Sequence, residues 1–179
     1  IYNTHCSAFF KLKEDFSDLY FGHNSWFMYS AQIRIFKTYK YTFASIKSGP
    51  QWISFSSYPG TLASNDDFYV LENNLIVIET TNPVFNNDLF LKLNPKSILT
   101  WHRTVVSNLI SKNSREWAIN FGYYNSGTYN NQFMILDANK IDLEKKEVND
   151  EALFIVEQIP DFTDIIDVTE YLRMGYWPS

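Results

Sequence analysis

Two apolar runs, Phe68 to Leu71 and Leu75 to Glu79, are separated by only Glu72-Asn73-Asn74. Three residues cannot carry a crossover helix, so these strands are expected to form an antiparallel hairpin. Asn is available there for a positive φ. The rest of the chain fits that start. Ser7 to Lys13, Leu19 to Phe21 (ending at Gly22), Trp52 to Ser56, Phe133 to Asp137, Leu153 to Gln158 and Phe162 to Val168 read as strands. Trp26 to Phe36 places Trp26, Tyr29, Ile33 and Phe36 at three- and four-residue steps and predicts a helix; Trp101 to Ser111 and Arg115 to Phe121 carry the same spacing. Ser48-Gly49-Pro50 is read as a break, Tyr58-Pro59-Gly60 as a turn, and the charged stretch Lys140 to Glu151 as a solvated loop. Strand, helix, strands, helices, strands is not the alternation of a doubly wound sheet. It predicts an α+β fold, with hairpin-connected strands covered by helices. No linker divides residues 1–179, which read as one domain.

Composition supports a packed core. Of 179 residues 45% are hydrophobic and 18% aromatic, and rings on that scale suit a buried, sheet-rich interior. A net charge of −5 supplies no basic face for phosphates, so nucleic acid is not an expected partner. No apolar run is long enough to predict a transmembrane helix. The chain shows no charged and apolar leader and does not begin with Met, so a processed or truncated piece is expected.

Common chemical motifs are absent: no phosphate loop, no G-x-G-x-x-G, no H-E-x-x-H and no nucleophile elbow. His5, His23 and His102 are widely spaced without a ligand pattern, so neither metal nor cofactor is expected. The single cysteine, Cys6, opens one strand, and His23 follows the next. If those strands are antiparallel neighbours, their ends reach one pocket. Taken alone, Cys6 reads first as a small buried hydrophobe and His23 as a loop histidine at a strand end. An aromatic-rich ligand-binding β module is a further reading; it requires His23 to lie far from a buried Cys6.

A set of blocks goes further. Cys6-Ser7-Ala8 precedes an apolar strand, followed by Gly22-His23-Asn24-Ser25-Trp26. Then come Phe55-Ser56-Ser57-Tyr58-Pro59-Gly60, Asn65-Asp66-Asp67-Phe68-Tyr69 and Glu79-Thr80-Thr81. The most specific is Asn125-Ser126-Gly127-Thr128-Tyr129-Asn130-Asn131-Gln132, before Glu157-Gln158-Ile159-Pro160 and Tyr176-Trp177. In this order the blocks resemble the phospholipase B-like (lamina ancestor-type) family of N-terminal-nucleophile hydrolases, over essentially the whole chain.

The resemblance implies an αββα sandwich, incomplete in this fragment, which would be the central part of a larger chain. It implies a precursor that cuts itself between His5 and Cys6, freeing the Cys6 α-amine to serve as base to its own thiol. Cys6 is then the nucleophile, and His23 sits beside it to orient a catalytic group or polarise the substrate. Trp26 and Thr81 are expected to line the substrate pocket. Trp26 also fits a first core residue of a helix, and Thr81 a strand-end hydroxyl bonded to backbone. Asn130 and Asn131 are expected to be scaffold, and Asp66-Asp67 a cap or turn pair. The implied activity is hydrolysis of acyl esters, or amides, of lipids or lipid-like molecules through a thioester. The alternative is a non-catalytic lumenal binding or structural protein with the same fold. Remaining fragments of the same precursor are expected partners, because an oxyanion-donating Asn and a pocket Arg of the family lie beyond Ser179. A lysosomal or secreted location is implied as well.

Overall fold

The computed structural model describes residues 6–42, 49–64 and 68–178, of residues 176–178 the backbone alone. Hairpins dominate it. Seven antiparallel strands form one sheet: β3 (Ile35–Lys40), β4 (Trp52–Ser57), β5 (Phe68–Leu71), β6 (Leu75–Thr81), β7 (Asn131–Asp137), β10 (Leu153–Ile159) and β11 (Phe162–Asp167). Their spatial order is β11-β10-β7-β6-β5-β4-β3. A smaller antiparallel sheet has β1 (Cys6–Leu12) at its centre, flanked by β2 (Leu19–Ser25) and β12 (Tyr176–Pro178). The α+β expectation holds at this level. The hairpin between β5 and β6 turns through Asn74, whose φ of 64° uses the left-handed tolerance of Asn.

Alternation explains the layering. In β1, Ala8, Phe10 and Leu12 are buried while Ser7, Phe9 and Lys11 are exposed. Those three buried residues pack with Ile76, Ile78, Met134, Leu136 and Ile155 of the large sheet. The other face of the large sheet, through Leu71, Val77, Phe133 and Ile135, packs under α1 (Thr100–Ile110) and α2 (Ser114–Gly122) by way of Leu109, Trp117 and Phe121. Central strands buried on both faces read as continuous apolar runs, as Leu75 to Ile78 does. At the start of α2, the Asn113 side chain accepts from the Glu116 amide at 2.8 Å, fixing where that helix begins.

Four expectations need correction. Trp26 to Phe36 is not a helix: β2 continues to Ser25, a single 3-10 turn covers Tyr29–Ala31, and β3 begins at Ile35. The supposed apolar stripe faces no core, with Trp26, Tyr29, Ile33 and Phe36 at 52%, 87%, 68% and 67% exposure. Gly22 does not end β2. It lies opposite Phe9, whose ring would stand 2.5 Å from any Cβ there, so glycine lets the ring cross the strand. Within Lys140 to Glu151 a short hairpin, β8 (Ile141–Asp142) and β9 (Glu147–Val148), tucks Val148 into the core between the sheets. The last strand stops at Asp167, followed by α3 (Thr169–Arg173) and β12, neither of which was anticipated. Ser48, within the expected break, lies outside the described residues, and no helix among those described is long and apolar enough to cross a membrane.

Candidate active site

The pairing of β1 with β2 sets the site. Cys6 faces Ser25 across the strands and Ala8 faces His23, so Cys6 and His23 are diagonal neighbours on the side of the small sheet that carries Ala8 and Phe10. Cys6 begins β1, His23 is two residues from the end of β2, and Glu79 is two residues from the end of β6. The three meet at one end of the two sheets. The Cys6 sulfur, a His23 ring nitrogen and a Glu79 carboxylate oxygen all lie within 4.8 Å of one another. Cys6 is half-buried, not sealed in hydrocarbon. The long separation required by a β module without this chemistry is not found.

Cys6 lines a cavity of about 460 Å³. Trp26 and Thr81 line it with Cys6, as do Ser25, Tyr58 and Tyr129. Trp26, 52% exposed, is a wall residue and not the first core residue of a helix. Thr81 stands at the last position of β6. His23 borders a smaller adjoining cleft of about 170 Å³, with Arg34, Ser56 and Phe68. Of the residues expected at the site, Cys6, His23, Trp26 and Thr81 therefore gather in one place. His5 lies outside the described residues, as do Asp66 and Asp67. His102 is elsewhere, stacked on Trp101 in α1 at 3.4 Å between ring centroids.

Sequence reasoning gave Glu79 no role, yet it is the most distinctive member. It is 0% exposed at the end of an otherwise apolar strand run. Tyr129 Oη donates to one carboxylate oxygen at 3.3 Å, and Asn131 Nδ2 donates to the other. Both donors come from the Asn-rich block. Its Asn125 side chain donates to the carbonyls of Ile159 (2.8 Å) and Phe162 (3.0 Å), and accepts from the Gly127 amide (2.8 Å). Asn130 donates to the Gly127 carbonyl at 3.0 Å. Asn130 is scaffold, as expected, while Asn131 touches the site itself. An acid inside a β-branched run such as Leu-Ile-Val-Ile-Glu was the available signal, since buried carboxylates are rare without partners.

Behind the block stands Arg103, 4% exposed and without a carboxylate partner among the hydrogen bonds it makes. It donates to the carbonyls of Ile98 (3.0 Å) and Phe121 (2.6 Å) and to the side chains of Thr100, Asn125 and Gln158. Gln158 in turn donates to the carbonyl of Tyr129. Burial pulls the Arg103 guanidinium down to about 10, still charged at neutral pH. The result is a rigid mount that aims Tyr129 and Asn131 at Glu79.

Sulfur, imidazole and carboxylate are donor types that zinc also takes. Here the carboxylate also accepts hydrogen bonds from Tyr129 and Asn131.

Fold and site together define an α+β protein with a cysteine-centred candidate site at the end of two packed sheets. A family model described as Phospholipase B matches residues 1–179, and the chain belongs to that family. It is 46% identical over 176 residues to Phospholipase B-like protein B of Dictyostelium discoideum, covering 98% of this chain and 31% of that protein. It is 45% identical over 175 residues both to Phospholipase B-like 1 of Rattus norvegicus and to Phospholipase-B 81 of Drysdalia coronoides. Each of those alignments covers 98% of this chain and 32% of the relative. The chain thus spans about a third of the length of the curated relatives it matches.

Proposed function

We propose that this chain carries the nucleophile half of a self-processed acyl hydrolase acting on ester, or amide, bonds of lipids. One observation supports the reading above all: the Cys6 sulfur stands within 4.8 Å of an imidazole and a buried carboxylate, at a cavity walled by Trp26 and Thr81. The layer order, helices over the large sheet and the small sheet beneath it, supports an αββα sandwich in this reading. Remaining segments of the same precursor complete it. We place the protein in the lysosomal lumen or outside the cell.

In this reading the His5–Cys6 bond is cut first, and Cys6 gains a free α-amine. That amine has an unperturbed pKa of roughly 7.7–8.0, so a neutral fraction is present near neutral pH. It takes the thiol proton as the sulfur attacks the acyl carbon, forming a C–S bond and an oxyanion. The intermediate collapses, the C–O or C–N bond breaks, and the ammonium returns the proton to the departing alcohol or amine. Water then adds to the thioester, the C–S bond breaks, and acid and thiol are regenerated.

The mass of the full-length protein and its fragments tests the first step. Wild type is expected to be cut before Cys6, Cys6→Ser to be cut more slowly, and Cys6→Ala to remain whole. Cutting of Cys6→Ala at that bond would assign the break to an outside protease. Fatty-acid release from phosphatidylcholine vesicles, compared with release from N-acyl amines, then decides between ester and amide. A cut protein that hydrolyses neither would favour the non-catalytic alternative.

A further inference from the structure

The freed amine gives the thiol a base, which leaves His23 without an assigned proton role. Glu79 supplies one. Its carboxylate is fully buried, and Tyr129 and Asn131, which donate to it, bring no positive charge. A buried carboxylate is strongly disfavoured unless a cation compensates it or it takes up a proton. Among the described residues, the His23 ring is a titratable base within 4.8 Å of it. We infer that Glu79 is a positioning residue that holds His23 as an imidazolium, so that His23 acts in the site as a fixed positive hydrogen-bond donor and not as a base. This deepens the hydrolase reading and rests on it only for the catalytic consequence.

Among the described residues the titratable groups around His23 are Cys6 from β1, Glu79 from β6 and Arg34 from the segment before β3. Arg34 shares the cleft with His23 and opposes a second positive charge there; its guanidinium lies 4.3 Å from the centre of the Tyr58 ring. Without Glu79 the imidazole would be both partly desolvated and beside a cation, two effects that strip its proton. With Glu79, an opposite charge within contact range reverses the balance. An imidazolium beside the sulfur stabilises the negative charge that develops on the thiolate and on the acyl oxygen, at no reorganisation cost. No net proton leaves His23 in either step. The division of labour is then explicit: the α-amine carries the mobile proton, and the Glu79–His23 pair supplies the fixed field.

The titration of His23 in the full-length protein, followed by NMR of isotope-labelled imidazoles and assigned by its loss in His23→Gln, reads this directly. In wild type its midpoint is expected above the ordinary value of about 6.5. In Glu79→Gln it should fall by about one pH unit or more, the scale of an opposite charge in contact. Glu79→Asp should recover part of the difference. The alkaline limb of kcat/KM should move down with the His23 midpoint in Glu79→Gln, with kcat falling about tenfold or more while KM changes less than about threefold. A wild-type midpoint at or below the ordinary value overturns the inference even if Glu79→Gln fails to fold. So does a folded Glu79→Gln whose His23 titrates like wild type. The titration needs neither substrate nor cutting. A shifted midpoint in a protein that hydrolyses nothing would sink the hydrolase reading alone. Hydrolysis with an unshifted midpoint would sink this one alone.

Discussion

At the scale of single residues, side chains with conspicuous chemistry were easier to find than those that aim them. Cys6 is the only cysteine, and His23 stands in a recognisable block, so both could be singled out and placed at adjacent strand ends. Glu79 left a weaker signal, because one acid at the end of an apolar run also looks like a strand running out into solvent. Its burial is a tertiary fact, set by Tyr129 and Asn131 some fifty residues away in sequence. The turn that delivers those two residues makes its own demand. Gly127 has a φ of 63°, and a Cβ there would stand 2.5 Å from the Pro160 Cα. Backbone cannot swing aside as a side-chain tip can. Gly127→Ala therefore adds a left-handed penalty to a steric one and is expected to cost about 2–4 kcal/mol. Urea denaturation measures the loss, and hydrolysis per folded molecule should fall with it, because the turn cannot shift without moving Tyr129. Loss of stability with unchanged specific activity would separate the turn from the site.

At the scale of elements, periodicity located most strands and both longer helices and failed where it had no core to report on. The three- and four-residue spacing of Trp26, Tyr29, Ile33 and Phe36 is real, but those side chains are exposed and the backbone gains more by pairing β3 along β4. α3 has five residues and β12 three, too few for a periodic signal, and their positions follow from docking against β1 and the core between the sheets. How α1, α2, β10 and the Asn-rich turn join was likewise invisible, since it depends on one arginine. Arg103→Met would keep the apolar stem and strand the carbonyls of Ile98 and Phe121 and the amide of Gln158 without their donor. Unsatisfied buried acceptors cost about 1–3 kcal/mol each, so a total near 3–5 kcal/mol is expected from chemical denaturation. Arg103→Lys should recover less than half of it, because one ammonium cannot span acceptors on three elements. Full recovery by lysine would mean that the charge matters there and the fork does not.

For the molecule as a whole, the arrangement of two sheets determines what the site is sensitive to. Cys6 and His23 belong to the small sheet, while Glu79 and Thr81 belong to the large one, so the cluster exists only while the two sheets keep their mutual position. The large sheet has a core on each face: one between the sheets, containing Ile155, and one beneath α1 and α2, containing Ile135. Both isoleucines are buried, at 4% and 0% exposure, and they sit on neighbouring strands at a comparable depth. Replacing either with alanine removes the same atoms, and each is expected to cost about 2–5 kcal/mol. The functional consequences should differ. A cavity between the sheets lets one slide against the other and alters the approach of Cys6 to Glu79, whereas a cavity under the helices leaves that approach alone. Ile155→Ala should therefore slow cutting before Cys6 and lower hydrolysis per folded molecule about tenfold, the scale of losing good alignment at a reacting centre. Ile135→Ala, matched for stability loss by thermal melting, should leave both rates within about twofold of wild type, its cavity being remote from the reacting atoms. Equal kinetic losses in the two variants would show that the site responds to global stability, and the sheet-to-sheet origin of its geometry would have to be abandoned.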